Sequence, residues 1–289
     1  MYIKNYSPLV VALIIAFFST KAQVTNNQST QRVGVSSTKK ATGVSVSPAH
    51  FHLNLKQGQS KVYSITINND TPSSKSFGVK MLDFNMNGKG KSEFLPAGDG
   101  KYSLSNWVSI SPTFVELKPN EKRKVDFTVT VPNSDSGRKA AWSIIMIEQQ
   151  EARTSLSPDN KTENTVALGV IPTFAFGVFV YQNPPNVALN EVEFVDFVYD
   201  QTRRNISIVS ENKGDGISYC TSYIDLTNLK TGDQQRLKVK KFTILPDLIR
   251  DFVFQIPQEI DPGDYIAVGV LDFENSEEIQ AAQMEFTLK

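Results

Sequence analysis

The stretch Val125–Ile147, VDFTVTVPNSDSGRKAAWSIIMI, decides how the rest of the chain is read. Val125, Phe127, Val129 and Val131 alternate with Asp126, Thr128 and Thr130. A period of two sends successive side chains to opposite faces, so this run predicts a half-buried antiparallel strand. Pro132 has no N–H to give a ladder and stops the strand. Asn133 to Gly137 supplies turn chemistry, and a second apolar run, Trp142 to Ile147, follows. The same order returns at Arg250–Leu271, RDFVFQIPQEIDPGDYIAVGVL. There Phe252, Phe254 and Ile256 alternate, Pro257 stops the strand, Pro262-Gly263 turns, and Tyr265 to Leu271 runs back. Two copies of one strand–Pro–turn–strand unit predict two copies of one β domain.

Bulk properties agree. A chain of 289 residues, 40% hydrophobic and 10% aromatic, is long enough for two domains with separate cores. Thirty basic and thirty acidic residues leave no net charge, and the basic face that nucleic acid demands is not expected. Two histidines and one cysteine leave little material for catalysis or metal binding. Cys220 has no partner for an internal disulfide and sits in the strand-like run Ile217 to Leu226, where it reads as a buried small hydrophobe.

Taken in order, residues 1–22 read as a secretory signal peptide. Lys4 opens it, Leu9 to Phe18 form its apolar core, and Thr20-Lys21-Ala22 suits cleavage before Gln23. The apolar core is shorter than the roughly 20 residues a spanning helix needs, so export without a membrane anchor is expected. Residues 23–43, rich in Thr, Ser, Asn and Gln, bury too little to offset ordering entropy and read as a disordered leader. From Val44 onward short strands and dense turn signals alternate, with no sustained helical period. Examples are Tyr63, Ile65 and Ile67 before Asn68-Asn69-Asp70-Thr71-Pro72. Asn87-Gly88-Lys89-Gly90 and Ala97-Gly98-Asp99-Gly100 are expected to bracket a mobile loop. About seven strands of this kind make an immunoglobulin-like sandwich over residues 44–182.

After the polar loop 149–164 comes an almost unbroken apolar run, Thr165–Tyr181, TVALGVIPTFAFGVFVY. Its even positions are bulky, among them Val166, Leu168, Val170, Phe174 and Phe176, whereas several odd ones are small. Pro172 removes an N–H in mid-run, which favours an edge strand or a bulge. Two readings stand: a strand buried on both faces between two sheets, or an edge strand whose bulky residues are offered to a partner. Asn183-Pro184-Pro185-Asn186 is a short, stiff boundary, and residues 183–289 are read as a second all-β, immunoglobulin-like domain.

Signals for chemistry are sparse. There is no Gly-rich phosphate loop, Cys-x-x-Cys pair or nucleophile elbow. His50 and His52 share a strand face but lack an identifiable third donor, so surface or interface packing is the expectation and no metal or cofactor is expected. Lys118, Lys122, Arg123 and Lys124 read as a charged strand edge. An enzyme is not expected.

These features together resemble the periplasmic pilus-chaperone (PapD-like) family. The likeness is carried by Tyr63 to Asn69, Val108 to Pro112, Leu117 to Asn120, Trp142 to Ile147, Val166 to Tyr181, and Ile206 to Gly214. Asn106 to Pro112, with Val-Pro before a turn, is also similar to other extracytoplasmic immunoglobulin-like domains of bacteria, wall-associated peptidoglycan-binding ones included. The family resemblance implies two tandem domains set at a bend, a periplasmic location and β-strand addition to an exported subunit. The long strand would be the donor, with Val166, Leu168, Val170, Phe174 and Phe176 matching the donor positions in type and alternation. Family members hold the subunit's terminal carboxylate with one cation on the first strand and one on the donor strand. This chain departs from that pattern: Val166 to Tyr181 contains no Lys or Arg, and the first strand offers only His50, His52 and Lys56. The alternative is a non-catalytic structural adaptor within an outer-membrane secretion, motility or adhesion complex. In either case the partner is an exported subunit or an outer-membrane assembly component.

Overall fold

The computed structural model describes residues 43–150, 174–185, 187, 191–273 and 279–289. The expected signal peptide, nearly all of the expected leader, and Val166, Leu168 and Val170 lie outside the described residues. Ten strands build the first half: β1 (Val44–Ser47), β2 (His50–Leu53), β3 (Ser60–Asn69), β4 (Lys75–Met86), β5 (Ser92–Leu95), β6 (Val108–Ser111), β7 (Phe114–Leu117), β8 (Glu121–Thr130), β9 (Ala141–Gln150) and β10 (Ala175–Gln182). They form one sheet in the order β1-β3-β8-β6 and another in the order β2-β10-β9-β4-β5, with β7 also on β4. Eight more follow: β11 (Val192–Asp200), β12 (Asn205–Asn212), β13 (Ser218–Asn228), β14 (Gln234–Arg236), β15 (Lys240–Ile244), β16 (Ile249–Gln255), β17 (Gly263–Phe273) and β18 (Ile279–Leu288). Their sheets run β11-β12-β16 and β14-β13-β17-β18, with β15 on β13. The chain is all-β, two tandem immunoglobulin-like sandwiches.

The repeated unit works the same way twice. Val125, Phe127 and Val129 on β8, and Val131 just after it, are buried together with Ile145 and Ile147 of β9 in the first core. Phe252 and Phe254 on β16 join Ala267 and Leu271 of β17 in the second. In each copy the proline-stopped strand and its successor belong to opposite sheets, so the turn between them closes the sandwich. A buried asparagine repeats as well. Asn69 ends β3 and donates from Nδ2 to the carbonyls of Ser73 (2.9 Å) and Leu117 (3.2 Å), while Oδ1 accepts from the Thr71 N–H (3.2 Å). Asn212 ends β12 and donates to the carbonyls of Gly216 and Ile244, both 2.9 Å, while Oδ1 accepts from the Gly214 N–H at 3.0 Å. Each holds its own turn and ties it to a strand of the opposite sheet, which satisfies backbone groups that burial would otherwise orphan.

The segment expected to be a mobile loop is anchored instead. Part of it pairs as β5 with β4. The rest is gathered by Asp83, which is 1% exposed. Its Oδ1 accepts from the hydroxyls of Ser103 (2.9 Å), Ser105 (2.6 Å) and Ser143 (2.7 Å), and its Oδ2 from the N–H groups of Gly98 (2.8 Å) and Gly100 (3.0 Å). Burial pushes this carboxyl up, but the bonds from Ser105, Ser143, Gly100 and Ser103 outweigh burial and hold it below its ordinary value. Glycines and polar residues suggest a mobile loop; the structure ties this segment to one buried acceptor.

A third apolar cluster joins the two sandwiches, with Phe84, Trp142, Ile144 and Tyr181 of the first meeting Ile217 and Leu245 of the second. Polar pins flank it. Asn183 exchanges two bonds of 2.8 Å with the backbone of Ile217. Asp247 accepts from Lys101 and from the Tyr102 hydroxyl. The guanidinium of Arg250 meets the Thr243 carbonyl and, at 2.9 Å, the Met86 sulfur. Cys220 is buried, as its strand context predicts.

Candidate interaction edge

β10 is two different strands in one. Along its whole length it pairs antiparallel with β9, from Ala175 opposite Glu148 to Gln182 opposite Ala141. On its other side β2 pairs with it in parallel, but only from Phe179 opposite His50 to Gln182 opposite Leu53. In that half the edge is locked. The Phe179 N–H donates to the Ala49 carbonyl (2.9 Å), and the Gln182 side chain spans the end of the pairing. Gln182 Nε2 donates to the Leu55 carbonyl at 2.7 Å, and its Oε1 accepts from the Leu55 N–H at 3.1 Å.

Among the described residues, the first half of β10 is open on that side. Because N–H and C=O directions alternate along a strand, residues of the same parity as Phe179 aim their backbone groups away from β9. Those residues are Ala175 and Gly177, and among the described residues no strand pairs with them on that side. Gly177 is glycine for a steric reason: a Cβ there would stand 2.5 Å from Ile144 Cδ1. Phe174, at the mouth of the open edge, is 61% exposed.

The bulky even positions do not all face outward. Phe176 packs against the first core, and Val178 and Val180 are fully buried within it. Of the expected partner-binding residues inside the described region, Phe174 is therefore offered to solvent and Phe176 is not. Alternation shows that two faces differ, but not which of them is inside. The bulky face of β10 is the inner layer of its own sandwich. In the locked half the other face is covered too, by the cluster between the sandwiches, so that half is buried on both faces.

The covered half carries a block of aromatic rings. His50 stacks on Phe179 and His52 on Tyr181, each at 5.4 Å, while His52 also meets the Tyr219 ring edge-on at 4.6 Å. Burial pushes the Tyr181 phenol up to about 12, with Arg250 opposing it slightly. This side of the block opens into a cleft of about 590 Å³ between the sandwiches, lined by His50, His52, Asn54, Tyr219 and Lys241 among others. The two histidines do pack at an interface, and among the described residues no three His, Cys, Asp or Glu converge as metal ligands. Lys241 reaches this cleft from β15, in the second sandwich. No local pattern marks it, since it lies about 190 positions from the histidines it accompanies.

The second sandwich has an edge of its own, and it is covered. β16 is the last strand of its sheet. The outward N–H of Asp251 donates to the Gly88 carbonyl, at the tip of the β4–β5 hairpin, at 2.8 Å. The outward carbonyl of Val253 accepts from the Lys240 ammonium. A neighbouring hairpin and a lysine are common ways of blunting an edge.

A family model described as "WxL Interacting Protein, peptidoglycan binding domain" matches residues 33–148. Among solved structures, the chain is similar to the class 5 fimbriae chaperone CfaA, with 13% identity and a TM-score of 0.45 over 84% of this chain and 98% of that one. It is similar to the chaperone–tip adhesion subunit pre-assembly complex CsuC–CsuE of Acinetobacter baumannii, with 13% identity and a TM-score of 0.42 over 83% and 97%. The Salmonella enterica SafA pilin–SafB chaperone complex gives 12% identity and a TM-score of 0.40 over 85% and 98%. No curated protein matches the sequence. Among the described residues no helix is long and apolar enough to cross a membrane.

Proposed function

We propose that this chain is an exported, non-catalytic binding protein that takes up a segment of another exported polypeptide by β-strand addition along the open half of β10. Residues 44–182 and 183–289 act as its two domains, and residues 1–22 direct it across the inner membrane. The observation that carries the reading is the contrast within one strand: β2 closes β10 at Phe179–Gln182 and leaves Ala175 and Gly177 facing outward. Backbone pairing there would supply affinity, and side-chain pockets on the partner would supply choice. Phe174, with the preceding Val166, Leu168 and Val170, would furnish the side chains. The test is co-purification from the native envelope of the whole chain and of an Ala175→Pro variant. Proline removes an N–H that serves no bond to β9, so the fold should stand while the companion polypeptide is lost. Equal recovery of the companion with both proteins would rule out β10 as the docking strand.

A second reading is favoured by the family model matching residues 33–148: the first sandwich touches peptidoglycan. Wall contact suits an adaptor that stays in place, whereas strand addition suits either an adaptor or a chaperone that releases its client. Sedimentation of the chain with purified peptidoglycan tests it, since a chain left wholly in the supernatant contradicts wall contact.

A further inference from the structure

A groove of about 540 Å³ lies on the first sandwich, beside the start of the segment leading to the second. Three separate pieces of chain build it: Lys56 and Gln57 from the turn after β2, Gly137 and Arg138 from the 3-10 turn Asp135–Arg138, and Pro184 and Pro185 just beyond β10. Its charged lining residues are both cations, and among the described residues no carboxylate lines it. Asp135, on the same turn as Arg138, makes no ion pair with it among the described residues. Exposed cations are ordinary; a cation held in place is less so. Gln57 Nε2 donates to the Ser134 carbonyl at 2.9 Å, and Gln57 Oε1 accepts from Arg138 Nε at 3.2 Å. That relay holds the guanidinium by its inner nitrogen and leaves the two terminal nitrogens, the fork that binds carboxylates in bidentate fashion, without a hydrogen bond among the described residues. Pro184 and Pro185 add apolar rings to the lining.

We infer that this groove is a site for a carboxylate-bearing, peptide-substituted glycan. Arg138 and Lys56 would take the carboxylate, the Gln57 amide would satisfy neighbouring polar groups, and the proline rings would meet the apolar face of a sugar. The inference rests on the wall-contact reading and gives it a location: four of the six lining residues fall inside the matched span 33–148.

The test compares three sedimentations with purified peptidoglycan. They use the native chain on untreated material, the native chain on material whose carboxyl groups have been amidated, and a Lys56→Gln/Arg138→Gln variant on untreated material. The native chain should sediment, and both other arms should fall by about fivefold, the scale of an exposed charge contact. Both substituted residues are exposed, and an unchanged denaturation midpoint would show that the variant is folded. Sedimentation of the variant equal to that of the native chain, or indifference to amidation, overturns the groove assignment while leaving wall contact standing. Failure of the native chain to sediment overturns wall contact itself, and the groove assignment with it.

Discussion

The two sandwiches share a plan but treat their edges in opposite ways. In the second, the outward backbone of β16 is covered twice, by the Gly88 carbonyl on Asp251 and by Lys240 on Val253. In the first, among the described residues, β2 pairs with only half of β10, and no strand pairs with the outward side of Ala175 and Gly177. An exposed edge invites pairing with any passing strand, so proteins generally blunt it. The β16 edge is covered by a hairpin from the other sandwich, so a device for covering an edge exists within this chain. The open half of β10 is where the proposed strand addition would take place.

The comparison can be broken most severely at Asp83, because the hairpin that covers β16 grows from the same strand. Asp83→Ala would strand five donors in a buried site, so a loss of about 3 kcal/mol in chemical denaturation is expected. Faster exchange at the Asp251 amide should accompany it. Since the folded carboxyl titrates below its ordinary value of 3.8, its contribution is present above that pH and is lost as pH falls through the lower folded value. Asp83→Asn should flatten the acid limb of the stability curve.

Gln182 is the next target. Gln182→Ala removes both bonds to Leu55 and should cost about 2 kcal/mol, loosening β2 and lengthening the open edge toward Phe179. Tyr181 beside it probes the same packing at high pH. Its folded pKa is raised to about 12, so its contribution is intact below pH 10 and is lost as pH rises toward 12. Tyr181→Phe should remove that alkaline limb. Lys240→Ala should cost only about 0.5 kcal/mol, as surface changes usually do, yet should raise self-association by uncovering the Val253 carbonyl. Analytical ultracentrifugation reads that outcome. The smallest effect on stability is expected for Ala175→Pro, within about 0.5 kcal/mol of the native chain, and this is the variant that should lose the companion polypeptide.

Much of the fold was legible because it is local. Alternation at Val125, Phe127 and Val129, the stop at Pro132 and their return around Phe252 and Pro257 are readable within a few residues, and they correctly imply two β-sandwiches. The inward direction of Phe176 was not legible, because a pattern with one bulky face fits either orientation until the opposing sheet is in place. Asp83 was missed for a related reason: an aspartate inside an alternating strand looks like a solvent-facing residue, and its donors lie 15 to 60 positions away. The covering of β16 and the arrival of Lys241 beside His50 and His52 depend on how the two halves meet, which no window of sequence contains.

Amide hydrogen exchange on the full chain, alone and with the polypeptide that co-purifies with it, bears most directly on the open edge. The Ala175 and Gly177 amides should exchange quickly in the free chain and become protected in the complex, while Phe179 and Asp251 stay slow in both. If Ala175 and Gly177 are already slow in the free chain, or stay fast in the complex, β10 is not the strand that receives the partner.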